Sequence, residues 1–169
     1  MKHPRTQHGF SLIEMLVYIA LLSTIFVVVV ATLLSFTTGY RVLAAHRIVE
    51  HSAMSSLERL TRDLRGATSI DMGNSTFGTS PGILTLITNQ NGNATTTKYY
   101  VQNNTLKLDV NGTYFGPLTT AKVTVSNLTY TLLTGSTTSA VKIDMTLTST
   151  NGQAVQTRTY HTTVVLKAL

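Results

Sequence analysis

The sequence predicts an α+β protein, with a long N-terminal α-helix, transmembrane in its first half and amphipathic in its second, packed on an antiparallel β-sheet. Three observations predict it. From Met15 to Tyr40 there is no charged residue, and most positions are apolar. Apolar residues then recur at three- and four-residue steps as far as Leu64. Beyond Ala67 the chain turns rich in threonine, asparagine and glycine, with short alternating apolar runs set between Asn-Asn and Asn-Gly pairs.

Residues 1–9 form a basic leader: Lys2, His3, Arg5 and His8 stand there without an acid. Positive charge before a first membrane helix keeps that end in the cytoplasm, although Arg41 and Arg47 follow the other end. A secretory signal has a short apolar centre and a small-residue cleavage site after it. Here the run is too long and no such site follows, so the processing point is placed before the run, at Gly9.

Residues 10–36 form the membrane segment, since about 20 apolar residues suffice to span a bilayer as a helix. Val27 to Val30 are β-branched and poor helix formers in water. In lipid every backbone group must be bonded internally, which favours the helix. Glu14 lies just inside the start of this run. A carboxylate in hydrocarbon is costly, so an ionisable residue there marks a functional site whose partner has to be found.

Residues 37–66 continue as an amphipathic helix with the stripe Val42, Ala45, Val49, Ala53, Leu57, Leu60 and Leu64, and Glu58 and Arg62 spaced to pair. Gly66 is read as its C-terminal cap. Unbroken from Phe10 to Arg65, the helix would run about 84 Å, with Gly39 as a point of interruption.

Residues 67–169 form the sheet domain. Roughly a quarter of them are threonine. Strands are expected at 83–88, 98–102, 105–110, 122–126, 128–134, 140–150 and 154–167. Asn103-Asn104, Asn111-Gly112 and Asn151-Gly152 serve as turns. The remainder of 67–100 reads as loop. In the last hairpin Val141, Ile143, Met145 and Leu147 alternate, so one face is buried and the other polar.

Composition excludes several functions. The chain has no cysteine, hence no disulfide, thiolate metal site or thiol catalysis. The net charge of +6 falls to +4 without the leader, and the basic residues are scattered, a weak basis for a nucleic-acid surface. His46, Glu50 and His51 lack a third metal ligand at suitable spacing and read as helix surface. His161 reads as strand surface. Five Asn-x-Ser/Thr triplets, from Asn74 to Asn127, are what an Asn- and Thr-rich domain produces by chance. No Gly-x-Ser-x-Gly element and no phosphate loop occurs. Tyr99, Tyr100, Tyr114 and Tyr130 would stack bases only if exposed; sheet packing is the plainer reading.

Gly9-Phe10-Ser11-Leu12-Ile13-Glu14 followed by an apolar helix resembles the prepilin signature of type IV pilins and type II secretion pseudopilins. The resemblance covers about the first 35 residues. It implies cleavage after Gly9 by a prepilin peptidase, N-methylation of Phe10, and pairing of Glu14 with the Phe10 amine of a neighbouring subunit. It implies no enzyme activity and no cofactor; the partners are other pilin or pseudopilin subunits, the peptidase, and the cytoplasmic membrane before assembly. More loosely, Leu57 to Ala67 and Val125 to Tyr130 are similar to a J-type minor pseudopilin or a W-type minor pilin. A C-terminal cysteine pair, a proline at Ala31 and a C-terminal acidic cluster are missing, which favours a minor subunit at the tip or initiation complex. The alternative is a membrane-anchored minor pilin that binds DNA or a surface.

Overall fold

A computed structural model describes residues 11–90, 92–135, 139–151 and 154–166. Helix α1 spans Leu12–Gly66. Eight strands follow: β1 (Ser69–Ile70), β2 (Leu84–Gln90), β3 (Asn93–Gln102), β4 (Thr105–Val110), β5 (Thr113–Pro117), β6 (Val123–Thr134), β7 (Ser139–Asn151) and β8 (Ala154–Val165). They form two antiparallel sheets, in the orders β1-β2-β3-β4-β5 and β6-β7-β8. The α+β class therefore holds, with the expected sheet divided in two. The chain separates after Tyr40 into two compact units.

In the second unit α1 buries Ala45, Val49, Ser52, Ala53, Ser56, Leu60 and Leu64. The expected stripe is thus right at five positions, while Val42 is exposed and Leu57 half-buried. Small residues on this face let the backbone approach the sheets closely. Two of them also anchor it: the Ser56 hydroxyl donates to the Leu118 carbonyl (3.0 Å), and Thr120 N–H donates to Ser52 Oγ (3.3 Å). Below them lie Leu84, Leu86, Tyr99, Leu106 and Leu108 of one sheet, and Val125, Leu128, Tyr130, Ile143, Met145 and Leu147 of the other. Each such side chain contributes about 1.5–3 kcal/mol when fully buried.

One polar cluster crosses this core. Arg59 Nε donates to Asp63 Oδ2 at 2.8 Å, and the buried Tyr99 hydroxyl donates to the same oxygen. Asp63 keeps the Arg59 guanidinium firmly protonated, and burial is the main reason that the Tyr99 phenol is pushed far up. Tyr130 is raised by burial alone, its hydroxyl finding no partner among the described residues.

The turns follow their residues. Asn103 and Asn104 both have positive φ (52° and 56°), as do Asn111 and Gly112 (51° and 76°), the pattern of two-residue type I′ hairpins. Gly66 does not act as a left-handed cap. It is the last helical residue, and Ala67 N–H closes the end onto the Leu64 carbonyl at 3.3 Å. Gly39 lies inside α1 without ending it. The 67–100 region holds more strand than expected: β1, β2 and most of β3, with β2 and β3 paired from Leu84↔Tyr99 to Gln90↔Asn93.

The two expected strands at 122–126 and 128–134 are one strand, β6, with a register shift between Val125 and Asn127 opposite β7. Ser126 is the extra residue of a bulge. Before it the odd positions Val123 and Val125 are buried; after it the even positions Leu128 and Tyr130 are. The bulge keeps both sets on the core face.

The outer edge of β6 is covered. Asn104 C=O accepts Val125 N–H, Gly82 and Gly78 N–H donate to the Leu128 and Tyr130 carbonyls (all 2.8 Å), and Ser80 Oγ accepts Leu128 N–H (3.2 Å). Only glycine fits at position 82, where a Cβ would stand 2.9 Å from Tyr130 Cδ2.

Deleting Ser126 removes the extra residue and leaves Val123, Val125, Leu128 and Tyr130 in strict alternation on the core face, so it should cost no more than about 1 kcal/mol of stability; a cost above about 3 kcal/mol, the exposure of both valines, contradicts the bulge. Ser126→Ala keeps the residue count and should cost under about 1 kcal/mol; denaturant unfolding of the full chain in detergent measures both. A second expectation concerns alkali. Tyr99 and Tyr130 keep their protons in the folded state at a pH where the unfolded phenols lose theirs. Their contribution is therefore intact below about pH 10 and falls above it, by about 1.4 kcal/mol per pH unit for each group. Unfolding curves at rising pH, read beside phenolate absorbance, test this. A stability flat through the onset of unfolded-chain tyrosine ionisation contradicts it.

Candidate functional site

The candidate site lies at the start of α1. Ser11 precedes the helix, and its carbonyl accepts Met15 N–H at 3.2 Å. Glu14 occupies the first turn, where an acid is favoured by the exposed N–H groups and the helix dipole. The Tyr18 hydroxyl, one turn on, donates to Glu14 Oε1 at 3.4 Å. This long bond leaves most of the acceptor capacity of the carboxylate unused among the described residues. Gly9 and Phe10, the other two residues of the expected site, lie outside the described residues.

The helix that carries Glu14 is long and apolar enough to cross a membrane. Its apolar side chains are exposed from Leu12 (84%) to Phe36 (74%). In water such a surface would be untenable; in a bilayer it is the favoured state. Five of the hydroxyls along it are satisfied within the helix. Ser23 and Thr24 donate to the Ala20 carbonyl (2.9 and 2.8 Å), Thr32 to Val28 (2.8 Å), and Thr37 and Thr38 to Leu34 (2.8 and 3.0 Å). That removes the penalty for bringing a free hydroxyl into hydrocarbon. Val27 to Val30 are helical, as expected for lipid rather than water. The apolar helix is consistent with membrane anchoring.

The other candidate residues are drawn into structural contacts. Arg158 Nη2 donates to His46 Nε2 at 2.7 Å, and His46 Nδ1 faces Glu50 Oε1 at 3.3 Å. Both ring nitrogens are thus engaged, with Nδ1–H donating, and His51 stands exposed beside them. His161 is exposed, as expected, but not alone: its Nδ1 meets Asp144 Oδ1 at 2.5 Å, and Lys142 Nζ meets Asp144 Oδ2 at 3.0 Å. The His161 and Lys142 donors hold the Asp144 carboxyl below the usual range. This trio depends on the Asp144↔His161 register of β7 and β8, and sequence spacing carries no trace of it. Tyr18 was also missed, although its four-residue step from Glu14 was legible.

The four tyrosines do not make one stacking surface. Tyr99 and Tyr130 are fully buried. Tyr100 and Tyr114 face outward beneath Lys98 and Lys107, whose ammonium groups lie 5.7 and 5.4 Å from the ring centres, and the Tyr100 hydroxyl donates to Asp109 at 3.0 Å.

Residues 4–35 match the prokaryotic N-terminal methylation motif. The matched stretch contains Gly9, Phe10, Glu14 and Tyr18 and ends inside the exposed apolar part of α1. The match supports a place among type IV pilins and pseudopilins processed by prepilin peptidase. No curated protein and no solved structure matches the chain.

Proposed function

We propose that the protein is a minor pilin or pseudopilin, a structural subunit of a type IV pilus-like filament or type II secretion pseudopilus. The observation that carries this reading is Glu14: an acid in the first turn of an exposed, membrane-length helix, inside a matched methylation motif.

Processing precedes assembly. Cleavage after Gly9 frees the amine of Phe10, which is then methylated and stays cationic. Before assembly α1 holds the chain in the cytoplasmic membrane, with the leader on the cytoplasmic side and residues 67–169 outside. In the filament Glu14 pairs with the Phe10 amine of a neighbour. Two unit charges 4 Å apart attract by about 4 kcal/mol at an effective dielectric of 20, against about 1 in water, and each relieves the desolvation of the other. Only one axial stagger brings them together, so the pair sets register. A head-to-tail contact that does not close yields a helical filament.

The subunit acts at the tip or initiation complex, beside other minor subunits, and the J- and W-type resemblances point to the same place. Its role is structural, and the peptidase is the enzyme that acts on it. Capture of DNA has less support, because two of the four tyrosines are buried and the lysines beside the others lie over their rings.

Co-expression with a prepilin peptidase should give an intact mass for a chain starting at Phe10, singly methylated; any other start refutes the processing step. Glu14→Ala should be cleaved normally yet enter filaments at least about tenfold less often, the loss of an interaction worth about 1.4 kcal/mol or more. Incorporation at the level of the unaltered chain would remove Glu14 from assembly.

A further inference from the structure

The β6-β7-β8 sheet has two edges, and they differ. The β6 edge is covered, as described above. At β8 the two-residue connection from Asn151 to Ala154 makes that pair mutually bonded. Even-numbered residues of β8 therefore bond β7, and Leu166 N–H continues the series onto the Ser139 carbonyl at 2.9 Å. The odd-numbered residues Val155, Thr157, Thr159, His161 and Thr163 turn their N–H and C=O groups outward. Among the described residues nothing bonds them.

Proteins usually guard such an edge with proline, lysine, a bulge or a covering loop. Among the described residues β8 has none of these: it runs for 12 residues without proline, lysine or register shift. Next to it a groove of about 530 Å³ opens between β8 and α1. Its floor is Met54 (68% exposed), Leu57 and Tyr160, whose hydroxyl has no partner among the described residues. Glu58, Arg62 and Arg65 line its rim. Arg62 reaches Glu58 only at 3.7 Å, and Arg65 has no ion pair among the described residues. The rim is thus net positive.

We propose that the β8 edge receives an added strand from a partner polypeptide, whose groove-facing side carries apolar residues beside a carboxylate. Backbone bonds to the odd-numbered residues of β8 supply affinity. An apolar side chain between Met54, Leu57 and Tyr160, with an acid at Arg62 and Arg65, supplies selectivity. A second copy of this chain fits less well. β8 contains no aspartate or glutamate, so β8 against β8 offers no carboxylate to Arg62 and Arg65.

The test uses the full chain in detergent and a synthetic threonine-leucine-threonine-glutamate-threonine-leucine-threonine peptide. It should slow hydrogen exchange at the outward amides of Val155, Thr157, Thr159, His161 and Thr163. The same peptide with lysine for glutamate should bind at least about tenfold more weakly, and Arg62→Glu with Arg65→Glu should reverse that order. Thr159→Pro removes an outward donor without touching the β7 ladder. It should abolish binding while the amides of Arg158 and Tyr160 stay protected. On the unaltered chain, a peptide N-methylated at the amides that would face β8 must also fail. Unchanged exchange at the outward amides overturns the proposal, as does binding that survives both backbone blocks. A peptide-independent dimer that Thr159→Pro dissolves also overturns it, by giving the edge to a second copy.

Discussion

The burial of one face of α1 is the constraint on which the rest of the second unit depends. Each sheet has an apolar inner face, and a sheet cannot leave such a face in water. The run from Ala45 to Leu64 covers both. Its small residues set the distance, and the hydroxyls of Ser52 and Ser56 set the rotation, because a hydrogen bond has direction and apolar packing has little. Asp63 adds a polar fixed point, accepting from Arg59 on the helix and Tyr99 on the sheet.

The first part of the same helix has the opposite surface: apolar side chains face outward, and threonine hydroxyls bond back to carbonyls of their own helix. Within that surface Glu14 is the exception. An acid there is tolerable at a helix start and becomes favourable when an amine joins it. In the assembly proposed above, that contact would be weak in water and strong in an apolar setting.

What the sequence revealed depended on how local the signal was. The long apolar helix, most of the buried helical stripe and the turns at Asn103-Asn104 and Asn111-Gly112 rest on composition, on periodicity or on residues that favour positive φ, and the structure agrees. The hairpin between β2 and β3 was equally legible, since Asn91-Gly92 stands between the runs, with Gly92 at φ 80°; it was hidden by the Thr- and Asn-rich surroundings. β5, with Gly116 and Pro117 and mostly exposed, offers little alternation to read and is tolerated as an edge strand. The bulge at Ser126 looked like a break because the apolar phase changes there. The pairing of His161 with Asp144 and of Arg158 with His46 depends on register and on helix placement, which no local pattern encodes. At the candidate site the motif around Glu14 was readable because its chemistry lies in consecutive residues.

The threonines of the outer face show how such a sheet stays soluble without many charges. Thr146 and Thr159, and Thr148 and Thr157, share hydroxyl bonds across β7 and β8 at 2.9 Å, giving a polar surface of low charge. The covered β6 edge then carries a consequence for valency. A sheet open on both sides can pass pairing from molecule to molecule without limit; one closed at β6 can accept at a single side. Gly78, Ser80, Gly82 and Asn104 thus act as a stopper, making the three-stranded sheet a terminus for strand addition instead of a link in a chain.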